Sequence, residues 1–190
     1  KLPFIFPSEV SFKNKDILPV KSDASSFETA VQLAAGVRVK ILGVEENNLT
    51  CYQFDRIKSF TGNKIKLKGL SGAVEALRVV KEPQEILSLR ASITVNLKGF
   101  EFIKKFIRPG LSERDIFYKL QDFTCKEGVS FSFSPIIASG PNAAYPHARI
   151  SERKLKAAEQ VLIDFGVEKN AYKSDLTRMF FLGKIPRYFQ

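Results

Sequence analysis

Two aspartates near the end of the printed sequence have types and spacing that suit metal chemistry. Asp164 follows the apolar run "VLI" and Asp175 precedes "LTRMFF", and both runs predict β-strands. If Lys169 and Asn170 form a hairpin turn, the two carboxylates face each other; if the pairing shifts by two residues, they become diagonal neighbours. Directly opposed Cβ atoms lie about 5 Å apart. At that distance two unit charges repel by roughly 3 kcal/mol at an effective dielectric of about 20.

A fold tolerates such a pair in three ways. One carboxyl can take a proton, nearby cations such as Lys173 or Arg178 can compensate, or a bound metal can use both carboxylates as ligands. A surface cluster of salt bridges is the plain alternative. The apolar residues around both aspartates instead predict a buried sheet, where unpaired carboxylates are costly. We therefore favour a buried pair over a surface cluster, and all three means of compensation stay open, with Lys173 and Arg178 as the expected structural partners of the aspartates.

Composition limits the class of protein. The chain has 190 residues, 44% of them hydrophobic and 17 of them Phe, which predicts a globular protein with one core or two small domains. No segment has the pattern of a membrane span or a signal peptide. Cys51 and Cys125 lack zinc-type spacing and are interpreted as reduced thiols of a cytoplasmic protein. Because the sequence does not begin with Met and ends directly after a strand, we expect a piece of a longer protein.

The net charge of +10 raises the question of nucleic-acid binding. The densest basic segment, "NKIKLKG", alternates Lys64, Lys66 and Lys68 with inward Ile65 and Leu67. That alternation is typical of a strand with one solvated face. Basic residues without stacking aromatics are weak support for a nucleic-acid site. We expect no nucleic-acid partner and no membrane partner.

The first 80 residues alternate between strand and helix patterns, which predicts an α/β layer. Capping boxes mark the two helix starts, at Ser25 with Glu28 and at Thr50 with Gln53, and Gly36 and Gly62 supply the stops. The predicted strands are "LPFIF"; "VRVKILGV", with Val37, Val39 and Ile41 on one face; and "KIKLKGL".

A change of pattern near residue 80 predicts a domain boundary. A long amphipathic helix follows Pro83 and ends at Pro109 and Gly110. Ser112 with Asp115 opens another helix, which closes at Gly128; the strand "VSFSF", a loop and the hairpin come after it. The apolar stripe of the long helix is predicted to contain Ile86, Leu89, Ile93, Leu97, Phe100, Ile103 and Ile107.

The segment "LIDFGVEKNAYKSDLTR" resembles the metal-binding segment of the pita-bread metallopeptidases, which include aminopeptidase P, prolidase and methionine aminopeptidase, with creatinase as a non-peptidase relative. The resemblance implies that Asp175 bridges two divalent ions and that Asp164 chelates one of them. Two positions depart from the family's usual pattern. Ala171 stands where Gly is usual, and Met179 stands where Thr is frequent.

The loop "FSPIIASGPNAAYPHA" resembles the family's active-site histidine loop and implies that His147 is catalytic. In the same loop, Asn142 and Tyr145 are interpreted as structural. Taken alone, His147 is more readily a loop histidine bonded to backbone, and the surrounding motif reverses that preference. The loop and the "SDLTR" ending resemble the proline-specific branch, that is, aminopeptidase P and the Xaa-Pro dipeptidase prolidase.

The resemblance implies a fold of α/β (α+β) class: a truncated amino-terminal α/β domain, residues 1–80, and then the first half of a pita-bread catalytic domain, residues 81–190. The implied function is a metal-dependent exopeptidase that cleaves Xaa-Pro bonds at peptide amino termini or in dipeptides through a metal-bridging hydroxide. The implied cofactors are two divalent ions, manganese first, with zinc, cobalt or iron as alternatives. The implied partners are a peptide with proline at its second position and, at full length, a second copy of the chain in a homodimer.

The family's remaining ligands, one His and two Glu, come from later motifs that are not in these 190 residues, and His147 is the sole histidine. We therefore expect the chain by itself to bind metal weakly and to lack peptidase activity. Two alternatives remain. One is a catalytically inactive pita-bread scaffold that binds protein or nucleic acid, and the other is a two-layer α/β domain without catalysis.

Overall fold

The computed structural model describes residues 2–4, 17–19, 26–36, 39–62 and 64–185. Contacts between Cα atoms divide the chain into two compact units, Lys1–Val80 and Lys81–Gln190. Within the described residues, no helix is both long enough and apolar enough to cross a membrane.

The first unit pairs short parallel strands and packs helices beside them. Strand β1 pairs with β2 and β3 pairs with β4, both in parallel. A small apolar cluster of Val31, Val44 and Ile57 joins the helices to the second pair. The elements in chain order are β1 (Leu2–Phe4), β2 (Ile17–Pro19), α1 (Ser26–Gly36), β3 (Ile41–Glu45), α2 (Cys51–Thr61), β4 (Lys66–Leu70) and α3 (Ala73–Val79).

Two local signals in this unit are confirmed. The hydroxyl of Thr50 accepts from the backbone of Gln53 at 3.2 Å and the Gln53 side chain accepts from the backbone of Thr50 at 2.9 Å, which is the expected capping box. On β4 and just before it, Ile65 is buried while Lys66 and Lys68 are exposed, as the alternation predicts. Strand β2 and helix α3 were not predicted.

One face assignment in this unit is wrong. Ile41 is 58% exposed, and Val44 is the buried residue of β3. The expectations for Ser25, Val37 and the last two residues of "LPFIF" lie outside the described residues.

The second unit packs two helices against two small antiparallel sheets. One sheet has the strand order β10-β7-β6 and the other β5-β8-β9. The elements are α4 (Pro83–Lys104), α5 (Glu113–Lys126), β5 (Ser130–Phe131), β6 (Ile136–Ser139), a 3₁₀ helix (Gly140–Ala144), β7 (Gln160–Phe165), β8 (Val167–Lys169), β9 (Tyr172–Lys173) and β10 (Leu176–Phe181).

Strand β7 runs through the middle of the core. Val161, Ile163 and Phe165 are fully buried on one face, while the alternating residues are only partly buried. The ring of Phe165 reaches helix α4 at Gly99, where an added Cβ would lie 2.8 Å from the ring. Glycine at this position therefore lets the helix and the sheet approach closely.

The buried face of α4 differs from the predicted stripe. Ile86, Ile93 and Leu97 are 42%, 40% and 43% exposed. The helix ends at Lys104 instead of continuing to Ile107. The prediction is wrong at these positions, where the helix buries Ser92 and Asn96 towards the hairpin, and it is confirmed at Phe100 and Ile103, which are buried. The buried residues of α4 are Ser92, Val95, Asn96, Gly99, Phe100 and Ile103.

The start of α5 follows its sequence signal. Ser112 accepts from the backbone of Asp115 at 3.0 Å, and the Asp115 carboxylate accepts from the backbone of Ser112 at 2.7 Å. This capping box confirms the predicted helix start.

Candidate metal centre and histidine loop

The strands that carry the two aspartates pair two residues away from the directly opposed register. Asp164 on β7 lies opposite Thr177 on β10, and Phe165 lies opposite Leu176. The directly opposed arrangement is therefore wrong, and the diagonal alternative is the one that the structure adopts. Asp175 lies just before β10, on the diagonal from Asp164.

The turn of the hairpin explains the register. Asn170 and Ala171 have φ angles of 53° and 63°, so they, and not Lys169 with Asn170, form the turn. A two-residue hairpin turn with both φ angles positive matches the twist of the flanking strands. Asn takes this conformation readily, whereas Ala does so at a cost of roughly 1–2 kcal/mol. Ala171 is the position where the resembling family usually has Gly.

A close backbone contact lies between the two aspartates. A Cβ added at Gly166 would lie 1.8 Å from the carbonyl oxygen of Ser174. The Ser132 hydroxyl donates to the same carbonyl at 2.9 Å, and the Ser132 amide donates to the carbonyl of Gly166 at 3.0 Å. Any residue with a side chain at position 166 would push the two arms of the hairpin apart.

Helix α4 supplies polar groups that hold both arms of the hairpin. Asn96 Nδ2 donates to the carbonyl of Phe165 at 2.8 Å and to the hydroxyl of Ser174 at 3.1 Å. Ser92 Oγ donates to the carbonyl of Val167 at 2.6 Å, and the amide of Val167 donates to Ser174 Oγ at 3.0 Å. Phe165 and Ser174 are the immediate chain neighbours of the two aspartates. The buried polar side chains of α4 therefore position the two carboxylates relative to each other.

The carboxylate of Asp164 is only partly satisfied. Its Oδ1 atom is buried and has no hydrogen-bond partner among the described residues. Burial raises the pKa of Asp164, the neighbouring Asp175 carboxylate raises it further, and a hydrogen bond from Thr177 acts in the opposite direction. The effect of Asp175 on the pKa of Asp164 places the two carboxylates close together, and Asp175 is exposed.

Two cations expected to compensate the aspartates are engaged elsewhere. Lys173 Nζ lies 3.6 Å from Glu168 Oε2. The Arg178 guanidinium lies 5.6 Å from the centre of the Phe100 ring and donates to the carbonyl of Thr177 at 2.8 Å. The prediction that Lys173 and Arg178 are structural partners of the aspartates is wrong.

Donor chemistry at this position fits a divalent cation. Carboxylate oxygens are the ligands that hard divalent ions prefer, and a buried unpaired oxygen beside a second carboxylate is the arrangement that a cation would neutralise. Within the part of the chain that the structure describes, no group of three or more His, Cys, Asp or Glu residues is arranged to hold a metal ion. The aspartate pair would thus supply part of a coordination sphere.

His147 lies beside Ile136, a residue of strand β6. Its exposed side chain lines a depression of about 510 Å³ together with Pro135, Ile136 and Ile150. Ile136 on β6 pairs directly with Asp164 on β7, so their side chains project from one face. The structure therefore places the histidine loop beside β6, the strand that pairs with the strand of Asp164.

Sequence reasoning missed the polar residues that support these groups. Ser92 and Asn96 stand one helical turn apart inside an apolar stripe, and that spacing is the signal that could have revealed them. Glu113, which is completely buried, occupies the first position of α5. No signal distinguishes it from an ordinary solvated acid at a helix start.

The sequence profile of the "Metallopeptidase family M24" matches residues 88–189. The chain belongs to this family. A protein of Mycoplasma pneumoniae described as "Putative Xaa-Pro aminopeptidase" is 33% identical over 163 residues, which cover 85% of this chain and 45% of that protein.

Solved structures of two proline-specific peptidases have a similar fold over most of this chain. An Xaa-Pro dipeptidase from Bacillus anthracis superposes with a TM-score of 0.81 at 30% identity, covering 91% of this chain and 48% of that one. An X-Pro aminopeptidase from Thermotoga maritima superposes with a TM-score of 0.80 at 27% identity, covering 91% and 49%. The predicted pita-bread metallopeptidase fold of the proline-specific branch is confirmed. The M24 chain spans about half the length of the relatives that it matches.

Proposed function

We propose that the protein is a metal-dependent exopeptidase that cleaves Xaa-Pro bonds at peptide amino termini or in dipeptides. The observation that carries the proposal is the buried, unpaired Oδ1 atom of Asp164 beside Asp175, in a chain of metallopeptidase family M24. The names of its relatives, Xaa-Pro aminopeptidase and Xaa-Pro dipeptidase, support the proline-specific substrate class.

In this proposal the aspartates hold two divalent ions, manganese first, with zinc, cobalt or iron as alternatives. Asp164 and Asp175 would be the residues of this chain that hold the ions. When bound, such ions lower the pKa of water and polarise a carbonyl oxygen. The protein's own contribution is to hold both carboxylates in place through Asn96 and through the close approach at Gly166.

His147 acts on the substrate from its loop. As an exposed imidazole at the rim of an apolar depression, it can donate a hydrogen bond or a proton to the oxygen of a peptide that lies beside the aspartates. The proposed substrate has proline at its second position. Its ring would suit an apolar wall such as that of Ile136 and Ile150.

In the proposal the two units are parts of two different domains. Residues 1–80 belong to the amino-terminal α/β domain, and residues 81–190 form the first half of the pita-bread catalytic domain. At full length we propose a homodimer.

The free, exposed thiols of Cys51 and Cys125 support a reducing compartment such as the cytoplasm.

Metal binding gives the first test. In a calorimetric titration with Mn²⁺, we expect weak binding by the 190-residue chain and loss of that binding in Asp164→Asn. Asp122→Asn is the matched control, because Asp122 is an exposed carboxylate paired with Lys126. Equal Mn²⁺ binding by the wild type and Asp164→Asn would overturn the metal assignment.

Peptide hydrolysis gives the second test. A polypeptide of the relatives' full length should hydrolyse Xaa-Pro peptides, and the 190 residues alone should not. The net charge of +10 favours the alternative of an inactive scaffold that binds protein or nucleic acid. No hydrolysis by the full-length polypeptide at any metal loading, together with tight binding to nucleic acid, would decide for the scaffold.

A further inference from the structure

The loop that carries His147, residues 139–151, is held at both ends by one side chain. Glu113 is 0% exposed and lies at the start of α5, beneath the loop. Its Oε1 atom accepts from the amide of Ser139 at 2.8 Å and from the Ser139 hydroxyl at 2.9 Å. Its Oε2 atom accepts from the amide of Ser151 at 3.1 Å and from the Ser151 hydroxyl at 2.7 Å. Each carboxylate oxygen thus binds one end of the loop.

Asn142, within the loop, supplies a further donor to the Glu113 carboxylate. Asn142 Nδ2 lies 3.1 Å from Oε1 and 3.3 Å from Oε2 of Glu113. Around the outside, Arg153 donates to the Ser139 hydroxyl at 2.7 Å and to Glu159 at 2.9 Å. The carboxylate is therefore a buried acceptor surrounded by donors, which is the condition under which a buried charge is tolerated.

The upper part of the loop has little packing of its own. Tyr145 is 67% exposed, and Pro146 and His147 are exposed as well. A segment without buried apolar contacts depends on its base for order. The order of the loop at His147 consequently depends on how firmly Ser139 and Ser151 are held. Glu113 binds both of them, beside the pairing of Ser139 with Val161 and the hydrogen bond from the Arg114 amide to the Ser151 carbonyl at 3.2 Å.

We propose that Glu113 is a positioning residue for His147, acting through the two ends of the loop. The inference rests on the proposed function, since it assigns a purpose to the position of the proposed catalytic histidine. A carboxylate offers two equivalent acceptor oxygens, whereas an amide offers one acceptor and one donor. Glu113→Gln can therefore hold one end of the loop and must release the other.

Nuclear magnetic resonance of the 190-residue chain tests this directly. In Glu113→Gln we expect one of the Ser139 and Ser151 amides to exchange about tenfold faster or more, because it loses a hydrogen bond to a charged group. We also expect the backbone order parameter of His147 to fall from about 0.85, a rigid value, to below about 0.6.

Asp115→Asn is the matched control. It removes a carboxylate from the same first turn of α5 and weakens the capping box with Ser112, but Asp115 makes no hydrogen bond to the loop among those of the described residues. In Asp115→Asn, amides throughout the chain can exchange faster because stability falls, but the order parameter of His147 should stay unchanged. A fall in both variants, or in neither, would overturn the positioning role.

A milder variant keeps the test usable if Glu113→Gln does not fold. Ser151→Ala removes one hydroxyl donor and leaves the backbone amide and Glu113 in place. It should lower the His147 order parameter by a smaller amount, and an unchanged value would contradict the proposal. Neither measurement uses metal or peptide. Failure of the proposed peptidase function would therefore leave these results unaffected, and a failure of the positioning role would not by itself exclude peptidase activity.

Discussion

Two carboxylates in the second unit are surrounded in opposite ways. Glu113 is fully buried, and both of its oxygens accept hydrogen bonds, from Ser139, Asn142 and Ser151. Asp164 is partly buried, and its Oδ1 atom has no partner among the described residues. Burial raises the pKa of Asp164, and the charge of Asp175 raises it further.

This difference separates a carboxylate that supports the fold from one that, in our proposal, binds a cation. Donors offset the desolvation of Glu113, so its charge stabilises the loop that they belong to. Asp164 Oδ1 has no hydrogen-bond partner among the described residues, and the hydrogen bond from Thr177 offsets only part of the effect of burial on the pKa of Asp164, so its charge opposes folding. An unsatisfied buried oxygen in a native structure calls for a reason, and a bound cation is the reason that we propose.

The largest effect is expected where the satisfied carboxylate is removed. Glu113→Ala leaves buried amides and hydroxyls without an acceptor and should lower the free energy of unfolding by about 3–5 kcal/mol. Urea unfolding measures the change. Asp115→Ala, which removes only a helix cap, should cost about 1 kcal/mol and serves as the control. Equal losses in the two variants would break the comparison.

A second prediction concerns the support beneath the aspartates. Asn96→Ala removes the donor to the Phe165 carbonyl and to Ser174 and should cost about 2 kcal/mol in urea unfolding. It should also weaken Mn²⁺ binding, because the two arms of the hairpin lose their shared contact. Thr94→Ala, at an exposed position on the same helix, should change stability by less than about 0.5 kcal/mol. Unchanged Mn²⁺ affinity in Asn96→Ala would argue against a positioning role.

In the third prediction the substitution raises the free energy of unfolding instead of lowering it. In metal-free solution at neutral pH, Asp164→Asn should raise the free energy of unfolding by about 1 kcal/mol, because it removes a partly desolvated charge beside Asp175. Thermal unfolding of the metal-free chain measures this. Asp122→Asn at an exposed site should have little effect. A destabilised Asp164→Asn would mean that the carboxylate is satisfied after all.

The smallest change in stability is expected at Glu159, a carboxylate whose surroundings are intermediate between those of Glu113 and Asp164. A hydrogen bond from Arg153 holds the pKa of Glu159 below its ordinary value. The unfolded state therefore binds more protons than the native state, so stability rises with pH across this range. Glu159→Gln should cost about 0.5–1 kcal/mol at pH 7. The cost should shrink as pH falls below about 4.3, the ordinary pKa of glutamate, and through the lower native pKa. A cost that stays constant down to pH 3 would contradict the assignment.

Features that depend on neighbouring residues could be predicted from the sequence. The capping boxes at Thr50 and Ser112 and the alternation around Ile65 are confirmed, since each depends on residues a few positions apart. The spacing of Asp164 and Asp175 and the loop around His147 were sufficient to recognise the family, which the match over residues 88–189 confirms.

Features that depend on distant residues could not be predicted. Asn96 and Phe165 are 69 positions apart, and a polar residue in a helix stripe does not reveal the carbonyl that it will bind. The hairpin register is another case. Local preference does not select a turn that places Ala171 at positive φ, and the contact of Gly166 with the Ser174 backbone is formed only in the folded sheet.

The sequence by itself determined which groups are available for chemistry, namely two aspartates and one histidine in recognisable segments. The tertiary structure alone decided how each charge is surrounded. Burial and hydrogen bonding depend on which distant chain segments meet. Glu113, with no distinguishing motif, therefore became a fully satisfied acceptor, while Asp164 kept an oxygen to which none of the described residues donates.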